Sequence, residues 1–533
     1  MEENKSVKQQ SFLQGAAVLA AATIIVKVIG AIYKIPLKGI IGDEGYGYFS
    51  TAYDIYSVLL MISTTGLPVA MSRMISEARA LDNHAQIRKI FSVSLRVFLL
   101  IGVLGSLGML LFCRQLSVMV TKFDTSWAAI AVLAPSVLLI CIISAFRGFF
   151  QGQSNMTPTS VSQVFEALCK LFIGLAAAWL LMRATDDATL GAGGAILGVT
   201  VGCVVSVLFL LRCYRKASHG LPVSGTAKST RATIGQLLAI AVPITLGSAG
   251  LQIINLADTM VFMRRLVGAV GMTQLEAEVA KGIYNFSQTI FNLPCAFITP
   301  ITISIIPAIT AHLTLHNDQR AGMVEGSAMR ITGLVAMPCA FGLCCLSSPI
   351  MNLFGYEGSA LTTAGSIMAY LGIAVIFNSL VLVTNAMMQA HGDVTTPVIH
   401  MIIGGVVKVV LNYFLVAVPQ LHIVGVSMGT VICYALITVL NIAAMTRRRI
   451  VNPRAFFGLG KPLLAGALMG ACAFMIHGFL AAHLPGKLAC VAAIGAAAVI
   501  YVILVLVFRV ITYDDCMLLP GGKKIAKILK IRP

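Results

Sequence analysis

Runs of about 20 apolar residues recur along almost the whole chain, parted by short polar or Gly/Pro-rich breaks. At 1.5 Å per residue, each run crosses roughly 30 Å of hydrocarbon as a helix, whose backbone groups satisfy one another where water is absent. The 533 residues are 58% hydrophobic and only 11% charged, whereas soluble domains average about 25% charged. The chain therefore reads as an integral membrane protein with no room for a large soluble domain.

Taking the breaks as helix ends places spans near 14–36, 47–70, 90–112, 127–147, 159–182 and 191–211. After a basic linker from Arg212 to Arg231, six more lie near 234–262, 282–311, 327–349, 364–388, 397–418 and 424–445, and a final pair near 462–482 and 488–510. The expectation is an all-α membrane protein of about 14 transmembrane helices. It divides into an N-terminal lobe, 1–230, a C-terminal lobe, 231–445, and a last segment, 446–533, that holds the helix pair and a basic tail with Lys523, Lys524, Lys527, Lys530 and Arg532. The basic start and missing small-residue cleavage site make the N-terminus an uncleaved first helix.

The net charge of +18 does not signal nucleic acid, because Lys and Arg cluster in short connections between apolar runs. Arg73, Arg79, Arg88 and Lys89 follow the second span, Arg212, Arg215, Lys216, Lys228 and Arg231 the sixth, and Arg447, Arg448, Arg449, Arg454 and Lys461 the twelfth. By the positive-inside rule both termini are cytoplasmic in a bacterial plasma membrane, with the basic clusters meeting anionic headgroups. Thirteen Cys sit mostly in apolar runs without a CxxC pair, so neither a disulfide framework nor a metal site is expected.

The two groups of six resemble each other at an offset of roughly 230 to 240 residues. "FFQGQSNMTPTS" (149–160) matches "MMQAHGDVTTPV" (387–398), "GGAILGVTVG" (193–202) matches "VGVSMGTVIC" (424–433), and "TGLPVAMSRM" (65–74) matches "SIIPAITAHL" (304–313). Lys170 and Lys408 occupy nearly equivalent sites. An even number of spans per repeat gives both the same membrane orientation, the parallel-repeat plan of transporters with a binding site between lobes.

A charge at the centre of a spanning helix costs about 2.5 to 3.5 kcal/mol on insertion scales, so such residues face the protein interior or a wet cleft. Here they are Lys27, Lys34, Arg96, Lys170 and Lys408 against Asp54, Glu166 and Asp258, an excess of positive charge. Lys27 and Lys34 lie two turns apart on one face. Glu166 and Lys170, spaced i,i+4, either neutralise each other or serve the cleft; Arg96 lies near a helix end and snorkels. Arg264 and Arg265, just outside the seventh span, either receive an anion at the outer rim or snorkel. Cations in a sheltered cleft replace the water stripped from a lipid diphosphate, so the binding residues expected are Lys27, Lys34, Asp54, Asp258, Lys408 and Arg264. Pro68, Pro135, Pro243, Pro294, Pro300, Pro307 and Pro338 fall inside spans, where they favour kinks.

No HExxH, P-loop, nucleophile elbow or metal-spaced His/Cys run occurs, so the chain does not read as an enzyme and no cofactor is expected. Na+, H+ or the membrane potential are the open alternatives for driving transport. "GAGGAILG" (191–198) opens a membrane helix without a preceding strand, which makes packing its reason.

In "KVIGAIYKIPLKGIIGDEGYGYF" (27–49), "GLPVAMSRMISE" (66–77) and "QGQSNMTPTS" (151–160) the chain resembles the multidrug/oligosaccharidyl-lipid/polysaccharide exporter superfamily, over nearly its whole length. Within it the likeness is to the stage V sporulation protein B-like and lipid II flippase-like branch of Gram-positive bacteria. The resemblance implies a MATE-like, V-shaped bundle of two six-helix lobes with a cationic cavity, plus a final helix pair beside a polyprenyl tail. It further implies alternating-access flipping of a lipid-linked anionic sugar precursor by a monomer working beside cell-wall synthesis enzymes. Lys27 matches a functional basic residue of the flippase pattern, and Lys34 stands one residue from the second. Ser63 or Thr64, and Thr289, stand where Gram-negative members carry Arg, which widens the expected cargo to lipid II or another undecaprenyl-linked glycan. A cation-coupled small-molecule exporter on the same fold and a membrane scaffold of envelope or spore assembly are the alternatives.

Overall fold

A computed structural model describes residues 12–218, 225–448 and 458–511. The extreme N-terminus, the middle of the basic linker, Arg449, Arg454 and the basic tail from Lys523 to Arg532 lie outside the described residues.

Helices follow the apolar runs, and the described residues contain no strand. The first two expected spans are one run, α1 (Phe12–Thr64), broken only at Gly42 (φ 68°, ψ −176°). A side chain at that positive φ would be strained, so Gly lets the chain redirect in a single residue. Lys38 and Asp43 pair across the break at 3.8 Å, and the Tyr48 hydroxyl donates to Glu44. "GDEGYGYF" is therefore a kink and the opening turns of the second arm, so that this arm begins a few residues before the expected 47. α2 (Gly66–Ala80) extends that arm; Pro68 lies in its first turn, where N–H groups have no intrahelical partner to lose.

Then come α3 (His84–Leu111), α4 (Cys113–Thr121), α5 (Trp127–Gly152), α6 (Thr157–Cys169), a π-helical turn at Lys170–Gly174, α7 (Leu175–Thr185) and α8 (Ala188–Ser218). α9 (Thr230–Arg265) runs through a second π-helical turn, Leu266–Val270, to α10 (Gln274–Thr314), α11 (Asp318–Cys345), α12 (Ser347–Leu353) and α13 (Gly358–Ala390). α14 (Thr395–Leu415), α15 (Val424–Arg447), α16 (Gly460–Ala481) and α17 (Gly486–Val507) complete the chain. Eleven spans among the described residues are long and apolar enough to cross a membrane. The expected 14 would also require both arms of α1 and α10 to cross.

The internal repeat is visible in backbone chemistry. α5 and α13 end in the same turn: Ser154 (φ 58°) and Gly392 (φ 83°) adopt the left-handed region. The next N–H, of Asn155 or Asp393, returns to Phe150 O or Met388 O at 3.0 and 2.9 Å. This six-to-one bond defines a Schellman ending. The same two side chains then accept from Thr157 N and Thr396 N, starting α6 and α14. Likewise Asn83 and Asn317 cap α3 and α11 by accepting from Gln86 N and Arg320 N. Because only glycine occupies the left-handed region without cost, Ser154→Gly should stabilise the protein by about 1 kcal/mol and Gly392→Ala should destabilise it similarly. Thermal melts of the detergent-solubilised variants would show it; equal shifts in one direction would contradict this reading of the turns.

By packing, the chain forms two compact units: Met1–Val267 with Gly271–Asn285, and Gly268–Val270 with Phe286–Pro533. α9 belongs to the first unit because it packs along α1 and α2. In the first unit, Phe91, Phe146, Phe149 and Tyr214 form an aromatic core, with Phe91 and Tyr214 stacked at 4.4 Å. "GAGGAILG" serves packing as expected: a Cβ on Gly198 would lie 2.4 Å from Gly174 N. In the second unit, Met329, Val383, Met387, Met388 and Met445 are buried together, and α16 and α17 pack on each other.

Candidate functional site

Within the first unit the second arm of α1 presents Gly47, Thr51 and Asp54 at helical spacing, one face of the helix. The opening turns of α10 present Glu278 and Lys281 to it. The absence of a side chain at Gly47 allows the approach, since a Cβ there would lie 2.6 Å from Glu278 O. Lys281 has no exposed surface; its Nζ donates to Thr51 Oγ1 at 2.5 Å and lies 3.4 Å from Asp54 Oδ2. Glu278 is equally buried, with Oε1 accepting from Thr125 Oγ1 at 3.4 Å and Oε2 without a hydrogen-bond partner. Asp258 and Thr259 of α9 join the group, both interacting with Asp54. Buried charges persist only when paired, and Lys281 compensates both Asp54 and Glu278.

A second group lies on the same unit. Lys170, at the start of the π-helical turn, places Nζ 4.9 Å from the ring centre of Tyr33, 5.7 Å from Phe49 and 4.5 Å from Tyr53. Tyr33 is held by its own hydroxyl, which donates to Ala195 O at 2.9 Å. Glu166, one turn before Lys170, pairs instead with Arg147 of α5 at 2.6 Å. Arg147 also donates through Nε and Nη2 to Ser162 Oγ at 3.0 and 2.9 Å. Of the two roles open to Lys170, mutual neutralisation with Glu166 is thus excluded by geometry.

Of the expected residues, Lys34, Asp54 and Asp258 are brought together: Lys34 interacts electrostatically with both Asp54 and Lys170. Lys27 is exposed on α1, seven residues and so about 10 Å before Lys34. Arg264 stands apart at the exposed end of α9, donating to Met119 O at 3.5 Å. Lys408 belongs to the second unit, half-buried on α14. Lys281, Glu278 and Arg147 were invisible to the span assignment. The first two precede the expected start at 282, and Arg147 sits at an expected helix end. The available signal was the Glu278–Lys281 spacing, which puts both charges on one helical face.

In the second unit, Asn385 holds the repeat position of Arg147, and His400 lies near that of Ser162. They form a neutral counterpart, both bonded to the buried Asn441 at 2.8 Å. Glu325, 2% exposed, accepts from or pairs with His391 at 2.8 Å, and Arg448 binds Asp393 in the α13–α14 turn. Partial burial opposes ionisation of Asp393, but the Thr396 hydrogen bonds and the Arg448 guanidinium outweigh it and hold its carboxyl below the usual range. No group of three or more metal-ligating side chains occurs among the described residues.

Residues 12–312 match the family described as polysaccharide biosynthesis protein, and residues 243–414 match the family described as MatE. Stage V sporulation protein B of Bacillus subtilis (strain 168) is 26% identical, across 96% of this chain and 98% of that protein. Lipid II flippase MurJ of the same organism is 25% identical, across 91% and 93%. Among solved structures, a lipid II flippase MurJ in an inward closed conformation aligns with a TM-score of 0.65 at 13% identity, covering 94% of this chain and all of that one. A multidrug resistance MATE family transporter of the MOP superfamily, inward-facing, aligns at 0.64 and 17% identity, covering 81% and 94%. The MATE-like, all-helical membrane fold expected from the sequence is thereby established.

Proposed function

Because the chain belongs to the polysaccharide biosynthesis protein family of membrane transporters and flippases, we propose that it flips a lipid-linked anionic sugar precursor, lipid II or another undecaprenyl-linked oligosaccharide, across a bacterial plasma membrane by alternating access. The observation that carries this reading is the pair of neighbouring cations Lys34 and Lys170 inside one helical unit, since Lys281 and Arg147 are engaged by carboxylates. Interior cations replace the hydration that a diphosphate loses on leaving water. Lys27 and Lys34 grip the diphosphate; Asp54 and Asp258 set local charge or couple an ion; Arg264 and Lys408 are secondary contacts along the route. Fourteen spans in two repeat-derived lobes plus a final pair, with both termini cytoplasmic, complete the proposal, and the protein does no covalent chemistry.

The test is headgroup accessibility of lipid II in cells depleted of their own flippase and complemented with this chain or its Lys27→Ala variant. The wild type should restore outward exposure, and Lys27→Ala should lower its rate about 10-fold or more, the value of one charge-assisted contact. No gain of exposed precursor with the wild type rejects lipid II as cargo. The adjacent Asp54 and Asp258 favour one second reading, export of small organic cations. It predicts that expression lowers toxic-cation accumulation and that Asp258→Asn abolishes the effect.

A further inference from the structure

Resting on the anionic-cargo reading above, we infer that Lys170 is a further diphosphate-binding cation and that Arg147 is the positioning residue that keeps it available. Lys170 and Glu166 are one helical turn apart, the spacing at which a Lys and a Glu ordinarily pair. They do not, because Arg147 reaches from α5 and takes Glu166 at 2.6 Å while a second fork of its guanidinium is fixed on Ser162 Oγ. The bonds of Nε and Nη2 to Ser162 Oγ fix the guanidinium, and its single charge-assisted bond from Nη2 holds Glu166 away from Lys170.

The consequence is an ammonium with no carboxylate at salt-bridge distance among the described residues, resting on the faces of Tyr33, Phe49 and Tyr53. Ring faces attract a cation through their quadrupoles but carry no net charge, so they hold the ammonium in place and leave its charge unneutralised. Lys34 directly follows Tyr33, a member of the cage, and its charge repels that of Lys170. Asp54 offsets part of the Lys34 charge, and the remaining repulsion between the two cations is relieved by an anion with two charged ends of its own, which a diphosphate supplies. In the second repeat Lys408 lies at nearly the place of Lys170, while the glycine pair Gly404 and Gly405 stands where Glu166 would be and Asn385 where Arg147 would be. The carboxylate and the arginine that diverts it are thus absent together, as expected if the arginine's purpose is the carboxylate.

The experiment is binding of farnesyl diphosphate, with farnesol as control, to the purified full-length protein in nanodiscs. Lys170→Met should weaken binding about 10-fold or more, and Lys170→Arg should stay within about threefold of the wild type. Arg147→Met, which frees Glu166 to capture Lys170, should bind as weakly as Lys170→Met. Arg147→Met/Glu166→Gln, with no carboxylate left to capture it, should recover to within about threefold of the wild type. A purely structural Arg147 predicts no such recovery, and a double variant as weak as Arg147→Met overturns the positioning role. Unchanged binding by Lys170→Met overturns the site even if Arg147→Met fails to fold. A wild type that binds farnesyl diphosphate no better than farnesol rejects the anionic-cargo reading as a whole, whereas selective wild-type binding undiminished in Lys170→Met rejects only the role of Lys170.

Discussion

Lys281→Met should cost the protein about 3 kcal/mol, among the largest effects of any single substitution, because it strands the buried Glu278 and the half-buried Asp54 without their cation. Lys281 has no exposed surface and serves Thr51 and Asp54 directly, with Glu278 one turn before it on the same face. Methionine fills nearly the same volume, so the loss is electrostatic and not a cavity. Neutralising the partners at the same time, in Lys281→Met/Asp54→Asn/Glu278→Gln, should recover most of the stability. Replacing a whole buried ionic group by neutral groups is far less costly than removing one member. The reading is the temperature at which the solubilised protein loses its monodisperse peak on gel filtration. A single variant that melts with the wild type would mean that Lys281 is not the compensating charge.

Gly282→Ala is the second large effect, and it is steric. A Cβ at that position would lie 1.8 Å from the carbonyl oxygen of Asp43, just past the Gly42 kink. The obstacle is backbone, which cannot rotate aside as a side chain would. Overpacking costs typically about 1 to 3 kcal/mol, and a contact this short belongs at or above the upper end. Prising α10 from α1 would also pull Lys281 from Asp54, so transport should fall together with stability. Gly235→Ala on α9 is the matched control. A Cβ there meets nothing within 4 Å, and alanine favours the helix by about 1 kcal/mol, so this variant should melt at or slightly above the wild-type temperature. Equal behaviour of the two would show that α10 does not pass so close to the kink.

Apolar run length was enough to establish the membrane class, because a helix must be about 20 residues long to cross hydrocarbon and few other constraints produce that period so often. The repeat was equally legible. Residues at its turns, such as Gln151 and Gln389 or Asn155 and Asp393, have conformational jobs that depend on local sequence, and the hydrogen bonds of the two turns coincide. What misled the reading was polarity near helix ends. The expected spans part between 36 and 47 because charges and glycines gather there, yet one left-handed glycine, Gly42, absorbs the whole change of direction. Glu278 and Lys281 looked like loop charges for the same reason, and only their burial against α1 shows that they belong to the interior.

Lys34, Asp54 and Asp258 lie close together in the first unit. The sequence by itself determined that these charges need shelter and that positive ones predominate, since transfer cost is a property of each residue and its depth. Which partner each charge finds was decided by the tertiary structure. Glu166 passes over the lysine one turn away and binds Arg147, and Lys281 crosses from α10 to Asp54, distant in the chain. Pairing between helices depends on which faces pack together and on side-chain direction, to within an ångström or two, and neither is written in the spacing along a single helix.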